Sequence, residues 1–269
     1  MGWNLRNILY FGSAIIIIYI IGVLSIYIFI NSILFTTAKT NNYDFTPSKR
    51  IQEVLISLPE QQEIHALHCN PPQNEKGIVL FLHGAKGNLD AYYSFTANFT
   101  GRNLSVLMPD YRSYGRSKGK VTESSLNEDA LACMDWIRKR YREDSVIIYA
   151  QDFLAPVACY IASMLPCRFV VLENPVFSLR RWMRDRFPAL ILPYELKYDF
   201  DISESLPNSI CPVYIIQYKK SQYCNATDAK KMQMLLKDPN AMIWLDNDKN
   251  IPLSDLDQYQ QIMDQLFSY

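Results

Sequence analysis

A chain of 269 residues, of which 49% are hydrophobic, is long enough to build one large domain around a sizeable core. Its 27 basic and 27 acidic side chains cancel, which excludes the strong long-range attraction that draws basic proteins to nucleic acid. The six cysteines form no C-x-x-C pair and no short-period framework, so they predict neither a disulfide scaffold nor a metal centre, and no motif indicates a cofactor.

The first predicted element is a long apolar helix near the amino terminus. No charged residue occurs from Ile8 to Phe35, and this run exceeds the roughly 20 apolar residues that cross a bilayer. A cleaved signal peptide is the alternative, but its apolar region spans only about 7–15 residues. We therefore predict a single-pass anchor in residues 1–35, with lipid contact through residues 8–35, and a polar tether over residues 36–50. The basic residues around the helix slightly favour a cytoplasmic main domain, and the membrane side stays open.

Residues 51–269 are predicted to form one α/β domain, because strand-like and helix-like segments alternate along them. The expected strands are the mostly apolar runs 52–57, 63–69, 77–82, 104–108, 146–149, 169–172, 213–216 and 241–245. The expected helices have apolar residues at helical spacing and cover 88–99, 125–141, 154–165, 227–236 and 256–267. This alternation predicts a mostly parallel sheet with helices on both faces and functional residues at the carboxyl ends of its strands.

Two motifs at predicted strand ends carry a family resemblance. Residues 81–88 (FLHGAKGN) resemble the His-Gly oxyanion loop of α/β hydrolases. Residues 109–117 (PDYRSYGRS) resemble the D-Y-R-G-Y-G-x-S turn of the abhydrolase-domain group related to membrane-associated depalmitoylases. The resemblance implies an α/β-hydrolase fold with an eight-stranded, mostly parallel sheet and a Ser-Asp-His triad whose serine stands in a G-x-S-x-G turn. The equivalents of the oxyanion-loop residues would be His83, Gly84, Ala85 and Phe153.

The three triad positions that this resemblance implies hold other residues. Register with the strand 146–149 puts Asp152 at the nucleophile position. The family's flanking glycines are replaced by Ala150 and Leu154, and a leucine in so crowded a turn predicts that the turn has relaxed. Ser221 stands near the position of the acid, and Lys249 stands at that of the histidine.

Asp152 has two interpretations from the sequence. It is either a carboxylate nucleophile, as in the dehalogenase and epoxide-hydrolase relatives, or a helix N-cap that accepts a backbone hydrogen bond from Leu154 or Ala155 and stays ionised. Both the serine and the aspartate mechanisms need a histidine that follows the nucleophile along the chain. The three histidines are His65, His68 and His83, so none follows Asp152.

Residues 176–210 are predicted to form a cap-like insertion above the sheet. Basic and aromatic side chains alternate in it, and we hypothesise that they rest on anionic lipid headgroups. The side chains concerned are Arg180, Arg181, Trp182, Arg184 and Arg186. The alternative is a cap that packs over the sheet and leaves its arginines in solvent.

These observations predict a membrane-anchored α/β-hydrolase-like protein with a degenerate triad that serves as a binding or scaffolding subunit. Protein partners in a membrane complex are expected, and an ion pair between Asp152 and Lys249 is predicted to close the old site. The alternative is an active serine- or aspartate-dependent ester or thioester hydrolase with a non-standard site. A third option is a receptor that binds a small acyl ligand in the relic pocket.

Overall fold

The computed structural model of the protein describes residues 4–59, 62–188, 198–246 and 256–267. The strands are β1 (Thr36–Thr37), β2 (Ile51–Ser57), β3 (Glu63–Cys69), β4 (Gly77–Leu82), β5 (Lys86–Gly87), β6 (Leu104–Pro109), β7 (Val146–Gln151), β8 (Phe169–Glu173), β9 (Val213–Tyr218) and β10 (Met242–Leu245). The α-helices are α1 (Leu5–Leu34), α2 (Leu89–Tyr92), α3 (Ala97–Thr100), α4 (Glu123–Arg138), α5 (Ala155–Met164), α6 (Leu179–Arg186), α7 (Ala226–Leu235) and α8 (Asp257–Phe267).

Eight of these strands form one sheet in the order β10-β9-β8-β7-β4-β6-β3-β2. β3 pairs antiparallel with both β2 and β6, and the remaining pairs in the sheet are parallel. The predicted α/β-hydrolase fold with its mostly parallel sheet is thereby confirmed. One predicted element is wrong in detail: the helix expected over 88–99 is divided into α2, a 3-10 turn at Tyr93–Thr96, and α3.

The sheet separates two hydrophobic cores, and β4 shows why its strands are apolar throughout. Ile78, Leu80 and Leu82 lie in the core that also contains the buried side chains of α4 and α5. Val79 and Phe81 lie in the other core, with those of α8. Because successive strand residues point to opposite faces, a strand between two helix layers needs apolar residues at every position.

The long amino-terminal helix ends inside the α/β domain. Its segment Leu9–Ile30 is long and apolar enough to cross a membrane by length and composition, and only 6% of it is buried. By contrast, Leu34 and Phe35 are 1% and 4% exposed. The Phe35 ring lies 5.4 Å from that of Tyr198, a residue of the insertion. The last turn of α1 is therefore part of the domain's core.

The segment over residues 36–50 that was predicted as a tether lies against the domain. β1 pairs in parallel with β5, next to the end of β4. Tyr43 donates a hydrogen bond of 2.5 Å to the buried carboxylate of Asp110, and the Tyr43 and Phe45 rings stack with centroids 5.0 Å apart. A domain cut at residue 46 would lose these contacts, so experiments on this protein call for the full chain.

Candidate functional site

The chain turns sharply at the carboxyl end of β7, and Asp152 stands at that turn. Its φ angle is +51°, a left-handed conformation that costs free energy for a residue other than glycine. The turn Asp152–Leu154 then leads into α5. The expectation of a relaxed turn is wrong, because Leu154 is fully buried in the core beside α5 and does not obstruct the turn. The strand–turn–helix geometry in which the fold presents a nucleophile is thus retained.

The side chain of Asp152 does not cap the helix. The N-cap residue of α5 is Leu154, and no side chain among the described residues caps that helix end. Asn174 Nδ2 instead donates to Asp152 Oδ1 over 3.4 Å. The N-cap interpretation is therefore wrong, although Pro156 does stand in the first turn of α5, as expected.

Burial raises the pKa of Asp152 from its ordinary value of 3.8 to about 8. The carboxylate of Glu173 raises it further, whereas the hydrogen bond from Asn174 and the charge of Lys86 lower it. Because this pKa lies above neutrality, Asp152 is mostly a neutral acid at pH 7, and the expectation that it stays ionised is wrong. A protonated carboxyl group donates a hydrogen bond and is a poor nucleophile.

A cavity of about 200 Å³ opens above Asp152. Its apolar wall includes Leu34 from the last turn of α1 and Trp182 from α6, whose ring lies 5.3 Å from that of Phe153. Lys86 and Arg186 bring positive charge to the same cavity. The apolar helix, the insertion and the turn at Asp152 therefore meet at one site.

A second carboxyl group, which was not predicted from the sequence, is buried near enough to Asp152 to raise its pKa. Glu173, at the end of β8, is 2% exposed. It accepts hydrogen bonds from the hydroxyl groups of Tyr149 and Tyr218, and one of 3.0 Å from Gln151 Nε2. Burial raises the pKa of Glu173 despite these donors. One feature of the sequence could have indicated Glu173: β7 and β8 each end in a long polar residue after an apolar run.

The oxyanion-loop equivalents divide between the cavity and the core. Ala85 and Phe153 line the cavity, and a Cβ built on Gly84 would lie 3.2 Å from Asp152 Oδ2. His83 is fully buried, and its Nδ1 donates to Gly84 O over 2.9 Å. Burial lowers the pKa of His83 to about 4, so its imidazole is neutral.

His83 is held away from the cavity by aromatic rings. It stacks on Tyr92, with centroids 4.7 Å apart, and it lies equally close to Tyr111. Its Nε2 lies 3.9 Å from Asp110 Oδ1 and makes no hydrogen bond within the described ranges. Among the described residues, the nearest carboxylate to this imidazole is therefore Asp110 of the PDYRSYGRS motif.

The other two histidines lie on β3 and have partners there. His65 Nδ1 contacts Glu53 Oε1 on β2. His68 stacks edge-on against Trp136 of α4, at a centroid distance of 5.2 Å. Each of the three imidazoles thus packs against residues other than Asp152.

Of the two remaining triad equivalents, Ser221 and Lys249, the structure describes Ser221. Ser221 Oγ accepts hydrogen bonds from the backbone N–H groups of Tyr223 (3.0 Å) and Cys224 (3.1 Å), so its hydroxyl group organises the loop after β9. Lys249 lies outside the described residues, so its predicted ion pair with Asp152 stays a prediction.

The basic side chains of the insertion do not all face solvent. Arg181 Nε donates to the buried carboxylate of Asp228 over 2.5 Å, and Trp182 Nε1 donates to Gln222 O over 3.0 Å. Arg184 and Arg186 are exposed. A contact with anionic headgroups, which stays a proposal, would therefore rest mainly on this exposed pair.

Comparison with known proteins agrees with the fold. The profile of the family described as serine aminopeptidase, S33, matches residues 73–256. Uncharacterized protein YfhR of Salmonella typhimurium is 22% identical over 194 residues, which cover 67% of this chain and 66% of the relative. Alpha/beta hydrolase domain-containing protein 17C of Xenopus tropicalis is 26% identical over 205 residues, which cover 74% of this chain and 63% of that relative. This chain therefore covers less than two thirds of the length of these relatives.

Solved structures give the same result for the fold. The Pyrococcus furiosus esterase Pf2001 superposes with a TM-score of 0.68 at 16% identity, over 88% of this chain and 98% of the esterase. An alpha-beta hydrolase from Vibrio vulnificus superposes with a TM-score of 0.64 at 17% identity. The match covers 82% of this chain and 81% of that hydrolase. Identities this low support the fold alone. Since the family profile matches residues 73–256, which make up most of the α/β domain, the chain belongs to the serine aminopeptidase S33 family of α/β hydrolases.

Proposed function

We propose that this protein is a membrane-anchored, non-hydrolytic α/β-hydrolase that binds an amphiphilic ligand in the cavity above Asp152. One observation carries the proposal: the sharp turn of the fold is kept, but it presents a partly buried, protonated acid where hydrolysis needs an activated nucleophile. The family uses an imidazole to activate that nucleophile or the attacking water. The three histidines of the sequence contact other residues instead.

The protonation of Asp152 supports binding over catalysis. A neutral carboxyl group at the floor of a cavity can donate a hydrogen bond to a carbonyl, carboxylate or phosphate oxygen. Lys86 and Arg186, on the cavity wall, would attract a negative charge on the same ligand. This combination fits the polar end of an acyl amphiphile.

The position of α1 supports a ligand that comes from the membrane. The candidate span ends at Ile30, and Ile33 and Leu34 line the cavity one turn later. Anchored in this way, the cavity would open at the level of the lipid headgroups. Its volume of about 200 Å³ is below the roughly 300–1,000 Å³ typical of small-molecule sites. It would therefore hold the polar end of the ligand, while the acyl chain lies along α1.

A turnover assay tests the absence of hydrolysis. We expect the full chain in detergent micelles to release no more product from short acyl esters and thioesters than the Asp152→Ala variant does. Labelling by a serine-directed fluorophosphonate is likewise expected to be absent. Wild-type turnover that Asp152→Ala abolishes would contradict the proposal.

Such a result would favour the second candidate, an aspartate-dependent ester or thioester hydrolase. The specific observation in its favour is that Asp152, with its positive φ, stands at the strand–turn–helix position where this fold presents a nucleophile. A covalent acyl-enzyme intermediate on Asp152, detected by mass spectrometry, would distinguish this candidate from a binding protein.

A cavity-filling variant tests the binding site. A Cβ added at Gly84 would lie 2.7 Å from the Tyr92 hydroxyl oxygen, so Gly84→Ala is expected to narrow the cavity. We expect it to weaken cross-linking of a photoactivatable fatty acid in vesicles by about tenfold, equivalent to about 1.4 kcal/mol. The matched control is Gly22→Ala in α1, where nothing lies within 4 Å of the added Cβ. If cross-linking falls equally in both variants, or falls in neither, this cavity is excluded as the binding site.

A further inference from the structure

Two cysteines are in contact before the amino-terminal ends of β8 and β9, whereas Asp152 follows the carboxyl end of β7. Cys167 lies between α5 and β8, and Cys211 lies just before β9. The backbone N–H of Cys167 donates to Cys211 Sγ over 3.0 Å. Both are free cysteines, with Cys211 buried and Cys167 partly exposed.

The register of the sheet sets the separation of the two backbones. β8 and β9 are parallel neighbours, with Val170 opposite Val213. Continued backwards by two residues, this register places Cys211 opposite position 168, one residue from Cys167. Neighbouring strands lie about 4.8 Å apart and rise about 3.3 Å per residue, so this extended register would place the two Cα atoms about 6 Å apart. Disulfides span Cα distances of about 4.4–6.8 Å.

The surroundings of Cys211 favour its thiolate. A hydrogen bond from the Cys167 side chain lowers the pKa of the Cys211 thiol, and the Cys167 backbone N–H and the charge of Lys237 lower it further against the effect of burial. Cys211 and Lys237 both line a cavity of about 320 Å³. A small oxidant that enters this cavity would meet the more nucleophilic of the two sulfur atoms.

We propose that Cys167 and Cys211 are a modification site, an oxidisable dithiol that closes to a disulfide. The Cys211 thiolate attacks one oxygen of hydrogen peroxide, the O–O bond breaks, and a sulfenic acid and hydroxide form; a proton converts the hydroxide to water. The Cys167 thiol then attacks the sulfenic sulfur, the Sγ–Sγ bond forms, and a second water leaves with the thiol proton. Two thiols thus give two electrons to one peroxide.

Other cysteines lack this environment. Cys133 and Cys159 are fully buried in the core, and burial raises the pKa of both thiols. Oxidation should therefore be selective for the Cys167–Cys211 pair. The resulting bond would close a loop from 167 to 211 that carries β8 and α6, the helix whose Trp182 lines the Asp152 cavity.

Peptide mapping of the oxidised full chain in detergent micelles tests the proposal. After treatment with hydrogen peroxide, we expect a peptide pair linked through Cys167 and Cys211, two hydrogens lighter than the free pair and separated by dithiothreitol. Cys167→Ser should instead leave a sulfenic acid on Cys211 that dimedone traps. The control Cys224→Ser, which removes a cysteine from another loop, should leave the cross-link intact.

A measurement on the unmodified sequence covers the case in which a variant fails to fold. Oxidation should raise the thermal midpoint of the wild type by about 5 °C, because a cross-link restricts the unfolded chain, and dithiothreitol should reverse the rise. Separate oxidation of the two cysteines without a cross-link, or a cross-link that leaves the midpoint unchanged, would overturn the proposal.

Discussion

Replacing Gly115 by alanine is expected to destabilise the protein by about 4 kcal/mol, a large fraction of the stability of a single domain. A Cβ at this position would lie 1.8 Å from Asp110 Oδ2 and 2.8 Å from the Tyr43 hydroxyl oxygen. Asp110 cannot yield, because it is fully buried and accepts hydrogen bonds from Tyr43 and from the Leu89 backbone N–H. Urea unfolding of the full chain in micelles measures the loss.

A second glycine separates the steric cost from backbone strain. Gly119 has a φ of +106°, whereas Gly115 has +45°. A residue with an L side chain tolerates a φ of +45° better than one of +106°. If backbone strain were the only cost, Gly119→Ala would therefore lose more stability than Gly115→Ala. The atoms nearest to a Cβ at Gly119 would belong to the Arg112 side chain, at 3.0–3.4 Å, so the steric conflict is milder than at Gly115. If Gly119→Ala loses more stability than Gly115→Ala, Asp110 does not constrain the turn at Gly115.

The strands and helices could be predicted from the sequence because the residue pattern that indicates each of them lies within its own segment. Strands such as Gly77–Leu82 are apolar at each position apart from a small glycine, and helices such as Glu123–Arg138 repeat apolar residues at helical spacing. The helix expected over 88–99 was divided for a reason that is not local. Phe95, in the 3-10 turn, stacks on Phe81 of β4 with centroids 5.0 Å apart. Packing against the sheet thus overrides the helical pattern there.

The docked course of residues 36–50 could not be predicted for the same reason. Polar composition indicated a tether, but the segment is held by contacts with residues distant in sequence, such as the 2.5 Å hydrogen bond from Tyr43 to Asp110. The sequence located Asp152 correctly after β7 and assigned it the wrong environment. Periodicity places a residue on an element, whereas its pKa depends on the neighbours that the fold brings to it.

Asp152→Asn is expected to stabilise the protein, and the gain should grow with pH. The pKa of Asp152 is raised from 3.8 to about 8 in the folded state. Below both values the residue is protonated in both states and folding is indifferent to it. Between them the unfolded chain loses the proton that the folded chain keeps, so wild-type stability falls as pH rises. Asparagine does not titrate, and it tolerates the positive φ of this turn as aspartate does.

The size of the effect follows from the pKa difference. A difference of one in pKa corresponds to about 1.4 kcal/mol. Because Asp152 is partly open to the cavity, where water can enter, we expect the stability advantage of Asp152→Asn to grow by about 2 kcal/mol between about pH 5 and about pH 8.5. Urea unfolding at several pH values measures it. Asp135→Asn, on the exposed face of α4, is the matched control for exchanging a carboxyl group for an amide.

The sign of this trend bears on the function. An acid that the folded chain keeps neutral, at a cost in stability relative to the ionised unfolded chain, is suited to donate the hydrogen bond that the proposed binding function requires. If wild type and Asp152→Asn instead differ equally at every pH, Asp152 is ionised in the folded protein. An ionised carboxylate at the strained turn would be available for attack, and the proposed binding function would yield to an aspartate-dependent hydrolase.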